Sequence, residues 1–386
     1  MKTPQGRERR IDPNFLRRTD FTTFSGNEKF LLNLVRYQGP ISRADMARQT
    51  DLAMQSVVRL VDALIERGVL QGGEKLNKGR GQPSLLIHLV PDAAFAFGVS
   101  VMTDAVSVVL MDLTGRTRAA ALHALDTTSR ARVLAHVEAV IADLIATAGV
   151  SRERVFGVGV ATTGYFIGAA ALNPPADMGD WALPDLEEAL AEALDLPVWL
   201  ENDGNAGAAG ESLFGAGQRH RSFAYLHVAR GLGGGVVQDG RLVRGFRGNA
   251  GEFTGILPPS ERPNRPTMAL LLELVRAEGV AVDSITELVR SFDPAWPGVA
   301  AWLDRTQPAA TAIISAIAAV LDPEVIVIGG LTPRPLAAMM AERLDYYAAP
   351  LRGRERPFPP ILPAEAQGDA AALGAAAIPF KEHFFG

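Results

Sequence analysis

The feature that most constrains the fold of this 386-residue chain is a group of polar residues directly after a predicted strand. Apolar residues at 196–200 predict the strand, and Glu201, Asn202 and Asp203 follow it at once. Open α/β sheets bind their ligands at the carboxyl ends of the strands. We therefore expect Asn202 and Asp203 to line a ligand cleft in an α/β fold.

Two glycine-rich turns and a second carboxylate continue this pattern. The turns are predicted at 231–235 and 249–251, and Glu252 follows the second of them. A carboxylate, two glycine-rich turns and another carboxylate in this order are typical of a phosphotransferase that acts on a sugar. The cleft is therefore predicted near residues 201–255.

The chain has no cysteine, which excludes disulfides, iron–sulfur clusters and thiolate zinc sites. Its six histidines have no metal-ligand spacing, so we expect neither a metal nor another cofactor. The sequence also lacks an uninterrupted apolar run of about 18 residues and the apolar core of a signal peptide. We expect a cytoplasmic protein without membrane contact, and the length favours two or three domains.

Charge is unevenly distributed along the chain. Residues 1–91 contain 15 Lys and Arg against 9 Asp and Glu, a balance of +6, whereas residues 92–386 contain 23 against 34, a balance of −11. A basic head (residues 26–91) on an acidic body (residues 92–386) indicates a polyanionic partner for the head alone. Residues 1–25 have no periodicity and are predicted to be a flexible arm. A basic disordered tail is the alternative interpretation of the charge.

Helical periodicity in the head predicts a winged helix-turn-helix. A first helix begins near Asn27 and is ended by Gly39-Pro40, a second covers 43–49 and a third covers 54–67. The strand at 84–89 and the glycine- and lysine-rich loop before it would form the wing. In such a module the third helix lies in the major groove of double-stranded DNA.

Side chains on the third helix and on the wing are the candidates for DNA contact. Gln55, Ser56 and Arg59 point outward near the start of the third helix, where side chains meet base edges. The remaining candidates are Arg43 at the start of the second helix and the wing residues Lys78, Arg80 and Gln82. Any one of these residues taken alone is better explained as a solvated surface group than as a base contact, and the DNA-binding prediction depends on their joint pattern.

The body is predicted to contain two similar α/β halves that face each other across the cleft. The first half has strands and two helices, predicted at 95–101, 106–111, 117–125, 129–148 (helix), 155–161, 183–194 (helix) and 198–200. The second half has strands predicted at 223–227, 235–238, 241–244 and 325–328.

Several segments in one order make the chain resemble the ROK family, which contains repressors, open reading frames and kinases. The resemblance extends from about Asn27 to the C-terminus. It is carried by residues 41–47, 160–164, 173 with 181, 201–203, 239–245, 250–252, 328–331 and 371–376. It implies that the body has the actin-like ATPase (ribonuclease H-like) fold of sugar kinases, and that a head on such a body belongs to a transcriptional regulator.

The phosphate-binding motif of the family's kinases is degenerate in this sequence. Ser100 stands where the kinases have an aspartate that positions magnesium, and Val101 and Met102 replace glycines whose backbone approaches phosphate. Arg230 stands in the second phosphate turn where the family has a small residue. Because phosphoryl transfer depends on positioning and charge neutralisation, the chain is expected not to be an enzyme.

The sugar-binding side is better preserved. The resemblance assigns sugar contacts to Asn202, Asp203 and Glu252, with Asp203 as the catalytic base if the kinase is active, and it adds Glu273 and Asn173 as further candidates. The family's histidine is replaced by Gly255, and its zinc-binding cysteines by the proline-rich segment 258–266.

Each sugar-binding candidate also has a structural interpretation. Asp203 alone could be a helix N-cap, Glu252 a partner of a backbone amide, Glu273 a solvated residue of a helix face, and Asn173 a turn residue.

Three hypotheses result. The first is a DNA-binding regulator, a repressor, whose degenerate kinase cleft binds a sugar or sugar derivative and whose homodimer, or dimer of dimers, reads operator DNA. The second is an active ATP-dependent sugar kinase with a DNA-binding head. The third is a body that serves only for dimerisation.

Overall fold

The computed structural model describes residues 24–76, 84–168 and 171–385. Within these ranges, no helix is long and apolar enough to cross a lipid bilayer.

Three helices and a three-stranded sheet form the head. Their bounds are α1 Gly26–Gln38, β1 Ile41–Ser42, α2 Arg43–Gln49, α3 Met54–Glu66, β2 Leu70–Leu76 and β3 Ser84–Leu89, with the strand order β1-β3-β2. Ser25 and Glu28 form a capping box at the start of α1, and Ser42 accepts the amide of Asp45 at the start of α2. These local signals confirm the predicted helices to within a residue or two.

The first lobe of the body is a five-stranded sheet flanked by helices. Its elements are β4 Phe95–Val101, β5 Ala105–Asp112, β6 Thr117–Ala124, α4 Arg130–Ala148, β7 Val155–Thr162, α5 Leu186–Leu194 and β10 Val198–Asn202, with a small hairpin of β8 Tyr165–Phe166 and β9 Leu172–Asn173. The strand order is β10-β7-β4-β5-β6. Strands β10, β7 and β4 run parallel, so their carboxyl ends lie at one edge.

The second lobe repeats this arrangement. Its elements are α6 Asp203–Phe214, β11 Phe223–Val228, β12 Leu232–Gln238, β13 Arg241–Val243, α7 Met268–Ala277, α8 Ile285–Ser291, α9 Pro297–Val320, β14 Val325–Gly330, α10 Arg334–Arg343 and β15 Ile361–Pro363. The strand order is β13-β12-β11-β14-β15, with β11, β14 and β15 parallel. The two matching five-stranded sheets confirm the prediction of two similar halves.

Helices α6 and α11 (Ala370–Phe380) hold the two lobes together through small residues. A Cβ on Gly374 would overlap the backbone of α6 at Ala206 and Gly210, and one on Gly98 would overlap α11. Glycine at these positions lets the backbones meet directly, and this contact fixes the lobes relative to each other.

One prediction about the glycine-rich segment 231–235 is wrong. Gly231 lies in the turn between β11 and β12, but residues 233–235 lie inside β12 and pair with β11. A Cβ on Gly234 would lie 2.5 Å from the ring of Phe253. At Gly234 and Gly235 the lack of a side chain therefore allows close packing of the strand against its neighbours, and residues 233–235 do not form a turn.

The last residues of the chain pack between the head and the body. Residues Lys381–Phe385 continue from α11, and Phe384 lies 5.1 Å from the ring of Phe24 and 5.5 Å from that of Phe156. One hydrophobic core therefore contains side chains from the head, the first lobe and the C-terminus. The sequence analysis did not predict this junction.

Candidate functional site

Asn202 and Asp203 lie at the carboxyl end of the first-lobe sheet, as predicted. Asn202 ends β10 and caps α6, because its Oδ1 accepts the amides of Gly204 (2.8 Å) and Asn205 (3.2 Å). Its Nδ2 donates to the carbonyl of Gly164 at 2.6 Å. The N-cap of α6 is therefore Asn202 and not Asp203. Asp203 is the first residue of α6, and its carboxylate remains partly accessible.

His227 is a neighbour of Asp203 that the sequence analysis missed. It lies near the end of β11, only 6% exposed, with Nε2 3.7 Å from Oδ2 of Asp203. Its position after an apolar strand is the same signal that identified Asn202.

Buried polar atoms at these strand ends have no hydrogen-bond partner among the described residues. They are Nδ1 of His227, Oδ1 of Asn205 and Oγ1 of Thr162, whose residues are at most 6% exposed. Thr162 ends β7 directly beside Asn202. Because buried polar groups are normally paired, such atoms indicate a place for bound water or a polar ligand.

Glu252 lies beyond the glycine turn and faces the same region. Its side chain is accessible to solvent. Burial of part of the group raises the pKa of Glu252, and the charge of Asp203 raises it further. The two carboxylates are therefore close enough to repel each other, and a ligand that donates hydrogen bonds to them would relieve this repulsion.

Glu201 is buried behind the cleft and paired with Arg244. Its Oε1 accepts the amide of Asn202 and Nδ2 of Asn205, both at 3.0 Å, and its Oε2 accepts Nε of Arg244 at 2.7 Å. Burial opposes the charge of Arg244, but Glu201 and Glu382 more than offset this, so the pKa of Arg244 is raised. Glu201 therefore fixes the strand end that presents Asn202.

The other two sugar-binding candidates, Asn173 and Glu273, have no direct contact with Asp203 in the described part of the chain. Asn173 ends β9 and donates from Nδ2 to the hydroxyl of Tyr165 at 2.6 Å. Its backbone packs against Gly164, which also binds Asn202, so Asn173 borders the site.

Glu273 is exposed on α7 and lines a separate cavity of about 530 Å³ together with Asp104 and Arg230. The structure does not bring Glu273 into contact with Asn202, Asp203 or Glu252 within the described ranges.

The turn between β4 and β5, which would approach nucleotide phosphates in a kinase, contacts the second lobe instead. Ser100 is buried in β4 opposite Ser107, and the chain turns tightly between Val101 and Ala105. Arg230 of the second lobe reaches Oγ1 of Thr103 at 3.5 Å.

Two further polar contacts accompany this turn. Arg230 also pairs with Asp177 at 3.1 Å. Oδ2 of Asp104 accepts the backbone amide of Thr286 at 3.1 Å.

The proline-rich segment 258–266 is held by α9. Oδ1 of Asn264 accepts Nε of Arg305 at 3.1 Å, and the indole of Trp302 donates to the carbonyl of Thr267 at 2.9 Å. In the described part of the chain no group of three or more His, Cys, Asp or Glu side chains is arranged to hold a metal ion.

In the head, one face of α3 is turned away from the core. Gln55 and Arg59 are exposed, as are the apolar Met54 (48%) and Val58 (36%), and Ser56 is half-buried.

Arg43 is instead paired with Asp62 at 2.5 Å, which joins α2 to α3. The predicted wing contacts Lys78, Arg80 and Gln82 lie outside the described residues.

The sequence of this chain is similar to those of known proteins. A sequence model of the ROK family matches residues 97–264. Protein y4fQ of Sinorhizobium fredii is 30% identical over 370 residues, which cover 93% of this chain and 92% of that protein. The xylose repressor of Bacillus spizizenii is 30% identical over 228 residues, which are 59% of each chain.

A solved structure supports the fold over nearly the whole chain. It is that of a ROK family transcriptional regulator, a homologue of the Escherichia coli MLC protein, and it matches with a TM-score of 0.65 at 20% identity. The match covers 93% of this chain and 97% of that one. It supports the two-lobed α/β body predicted from the sequence.

Proposed function

Because this chain belongs to the ROK family, we propose that it is a DNA-binding transcriptional repressor controlled by a sugar or sugar derivative bound in its cleft. The observation that carries the ligand site is the set of buried, unpaired polar atoms of Thr162, Asn205 and His227 around Asp203. Hydroxyl groups both donate and accept hydrogen bonds, so a sugar matches this mixture of carboxylate, amide and imidazole groups. The similarity to proteins named xylose repressors agrees with this class of ligand.

The head, residues 26–91, is the proposed winged helix-turn-helix. The exposed face of α3 combines Gln55 and Arg59, which can bind base edges, with Met54 and Val58, which can contact thymine methyl groups. Arg43 positions α3 through Asp62 and does not contact bases in this proposal. Lys78, Arg80 and Gln82 are proposed to contact DNA from the wing.

The body, residues 92–386, is proposed to sense the ligand and to form a homodimer. A symmetric dimer would present two heads to a near-palindromic operator, because a single small module has too small a footprint for useful specificity.

A phosphotransferase role is disfavoured by the turn between β4 and β5. Ser100 replaces the expected aspartate, and Arg230 contacts the turn where phosphates would approach. An assay that couples ADP formation to NADH oxidation, run with a panel of monosaccharides, tests this point. Sugar-dependent ATP turnover that is abolished by Asp203→Asn would replace the repressor proposal with the kinase.

The direct test of the sensor role is a thermal-shift screen of pentoses, including D-xylose, hexoses, amino sugars and sugar phosphates. A ligand at 100 times its Kd stabilises the folded body by about 2.7 kcal/mol. Asp203→Ala should abolish the shift produced by the stabilising sugar. If no member of the panel shifts the unfolding temperature while DNA binding is intact, a body that serves only for dimerisation is the better interpretation.

A further inference from the structure

A continuous set of polar contacts leads from the cleft to the surface of the body that faces the head. Oε1 of Glu201 accepts from Asn202 and Asn205 at the cleft, and Oε2 of the same carboxylate accepts Nε of Arg244 at 2.7 Å. The other side of Arg244 faces Glu382, with Nη2 3.8 Å from Oε1. The guanidinium therefore lies between two carboxylates, that of Glu201 at the cleft and that of Glu382 near the head.

The loop that carries Arg244 also carries Glu252 at its other end. Between them Gly245, Gly248 and Gly251 have φ values of +73°, +86° and +103°, so this backbone is bent repeatedly in conformations that favour glycine. The carbonyl of Gly248 accepts Nδ2 of Asn205 at 3.2 Å, which ties the middle of the loop to the cleft. A short segment therefore joins Glu252 to Arg244, and its middle is bonded to Asn205 at the cleft.

Glu382 connects Arg244 to the first helix of the head. Its backbone carbonyl accepts Nζ of Lys29 in α1 at 2.7 Å, and its Oε2 accepts the indole Nε1 of Trp199 at 2.8 Å.

The pKa of Lys381, the preceding residue, is lowered first by burial and then by the positive charges of Arg244, Arg36 and Arg241. Arg36 belongs to α1. The positive charges of the cleft loop (Arg244) and of the head (Arg36) therefore both act on Lys381, beside Glu382.

The junction is packed well enough to transmit a shift in Glu382. The ring of Phe384 packs between Phe24, just before the head, and Phe156 of the first lobe, with centroid distances of 5.1 and 5.5 Å. Close-packed side chains transmit displacement because they leave no empty volume to absorb it.

We propose that Arg244 and Glu382 couple the ligand cleft to the DNA-binding head, with Arg244 exchanging between the carboxylates of Glu201 and Glu382. This inference rests on the proposed function, because it describes how occupation of the proposed ligand site changes the placement of the head. A ligand that engages Asn202 or Glu252 moves the glycine loop and shifts Arg244 toward one of its two partners. In this structure the guanidinium contacts both carboxylates at once, so a shift toward one of them weakens its contact with the other.

Hydrogen–deuterium exchange of the full chain, read by mass spectrometry without sugar or DNA, tests the coupling. Glu201→Gln removes the charge that holds Arg244 at the cleft end but keeps an oxygen acceptor. We expect it to change amide exchange in Gly26–Gln38 by about twofold or more, the low end for residues that share one network. In a Glu382→Gln background the same change should disappear, because the charge pair between Arg244 and Glu382 has already been removed.

Glu365→Gln is the matched control. Glu365 also pairs with an arginine, Arg219, at 2.5 Å in the last third of the chain, but neither residue contacts the head or the 244–252 loop in the described structure. Its replacement should leave exchange in α1 unchanged. Exchange in β11 and β14 reports global destabilisation, and the change in α1 supports the coupling where it exceeds the change in these two strands.

Two results would overturn the coupling: no change in α1 after Glu201→Gln, or changes from Glu201→Gln and Glu382→Gln that simply add. Lys29→Met reads the same connection from the head and should alter exchange in residues 244–252, so a poorly folded Glu201→Gln variant does not end the test. A chain that binds no sugar in the thermal-shift screen refutes the proposed function separately, since the exchange experiment contains no ligand.

Discussion

Replacement of Arg244 by methionine should destabilise the protein because it leaves a buried carboxylate without its cation. Glu201 is 2% exposed, and among the described residues it keeps two neutral donors when Arg244 is gone. Removing one partner of a fully buried ion pair costs about 3–5 kcal/mol. The side chain of Arg244 is 46% exposed, so water can reach part of the gap, and we expect a loss of about 2–3 kcal/mol.

The reciprocal replacement should cost less. Glu201→Gln leaves Arg244 half-exposed, where water can solvate the guanidinium, and the glutamine oxygen still accepts a hydrogen bond from Asn202. A loss of about 1 kcal/mol is expected, near that of one hydrogen bond. The double variant should be more stable than Arg244→Met alone, because the uncompensated buried charge has been removed from it.

Urea unfolding followed by circular dichroism measures these differences as shifts in the midpoint. Arg219→Met is the control, since its partner Glu365 lies at the surface, with the two side chains 59% and 27% exposed, and the loss should be below about 1 kcal/mol. A loss for Arg244→Met no larger than that of the control, or a double variant no more stable than Arg244→Met, would refute the burial of an ionised Glu201.

Three further replacements test other parts of the structure. Because the pKa of Glu252 is raised above its ordinary 4.5, the wild type should lose stability as pH rises through the raised pKa. Glu252→Gln should lack this contribution in thermal melts from acid to neutral pH, and equal pH profiles would contradict the raised pKa, which burial causes first and Asp203 second. Arg59→Ala should reduce discrimination between operator and random duplex in fluorescence anisotropy; if only the salt dependence changes, α3 does not read bases. Gly234→Ala should cost about 1–3 kcal/mol through overlap with the backbone oxygen of Tyr225 and the Phe253 ring, whereas Gly233→Ala, with open space around its Cβ, should stay within about 0.5 kcal/mol; equal urea midpoints would contradict the strand packing.

Much of the secondary structure followed from short-range signals in the sequence. Ser42 and Ser129 precede helices where the sequence predicts helix starts, and Gly39 and Gly68 follow the ends of α1 and α3 with positive φ. Such signals act between residues a few positions apart, so the sequence reveals them directly.

The ligand cleft was only partly predictable. Asn202 and Asp203 were identified because they follow an apolar strand, and His227 carries the same signal less clearly because no second polar residue accompanies it. Glu273 was assigned through the resemblance alone, and the structure places it on α7 beside a cavity that Asp104 and Arg230 also line.

The sequence by itself determined the α/β class, the two similar halves of the body and the basic charge of the head, since these depend on periodicity and composition. The tertiary structure alone decided that Arg244 pairs with Glu201, 43 positions away, and that the C-terminal Glu382 contacts α1 of the head. Contacts at such distances along the chain depend on how complete lobes pack, and no local pattern encodes that packing.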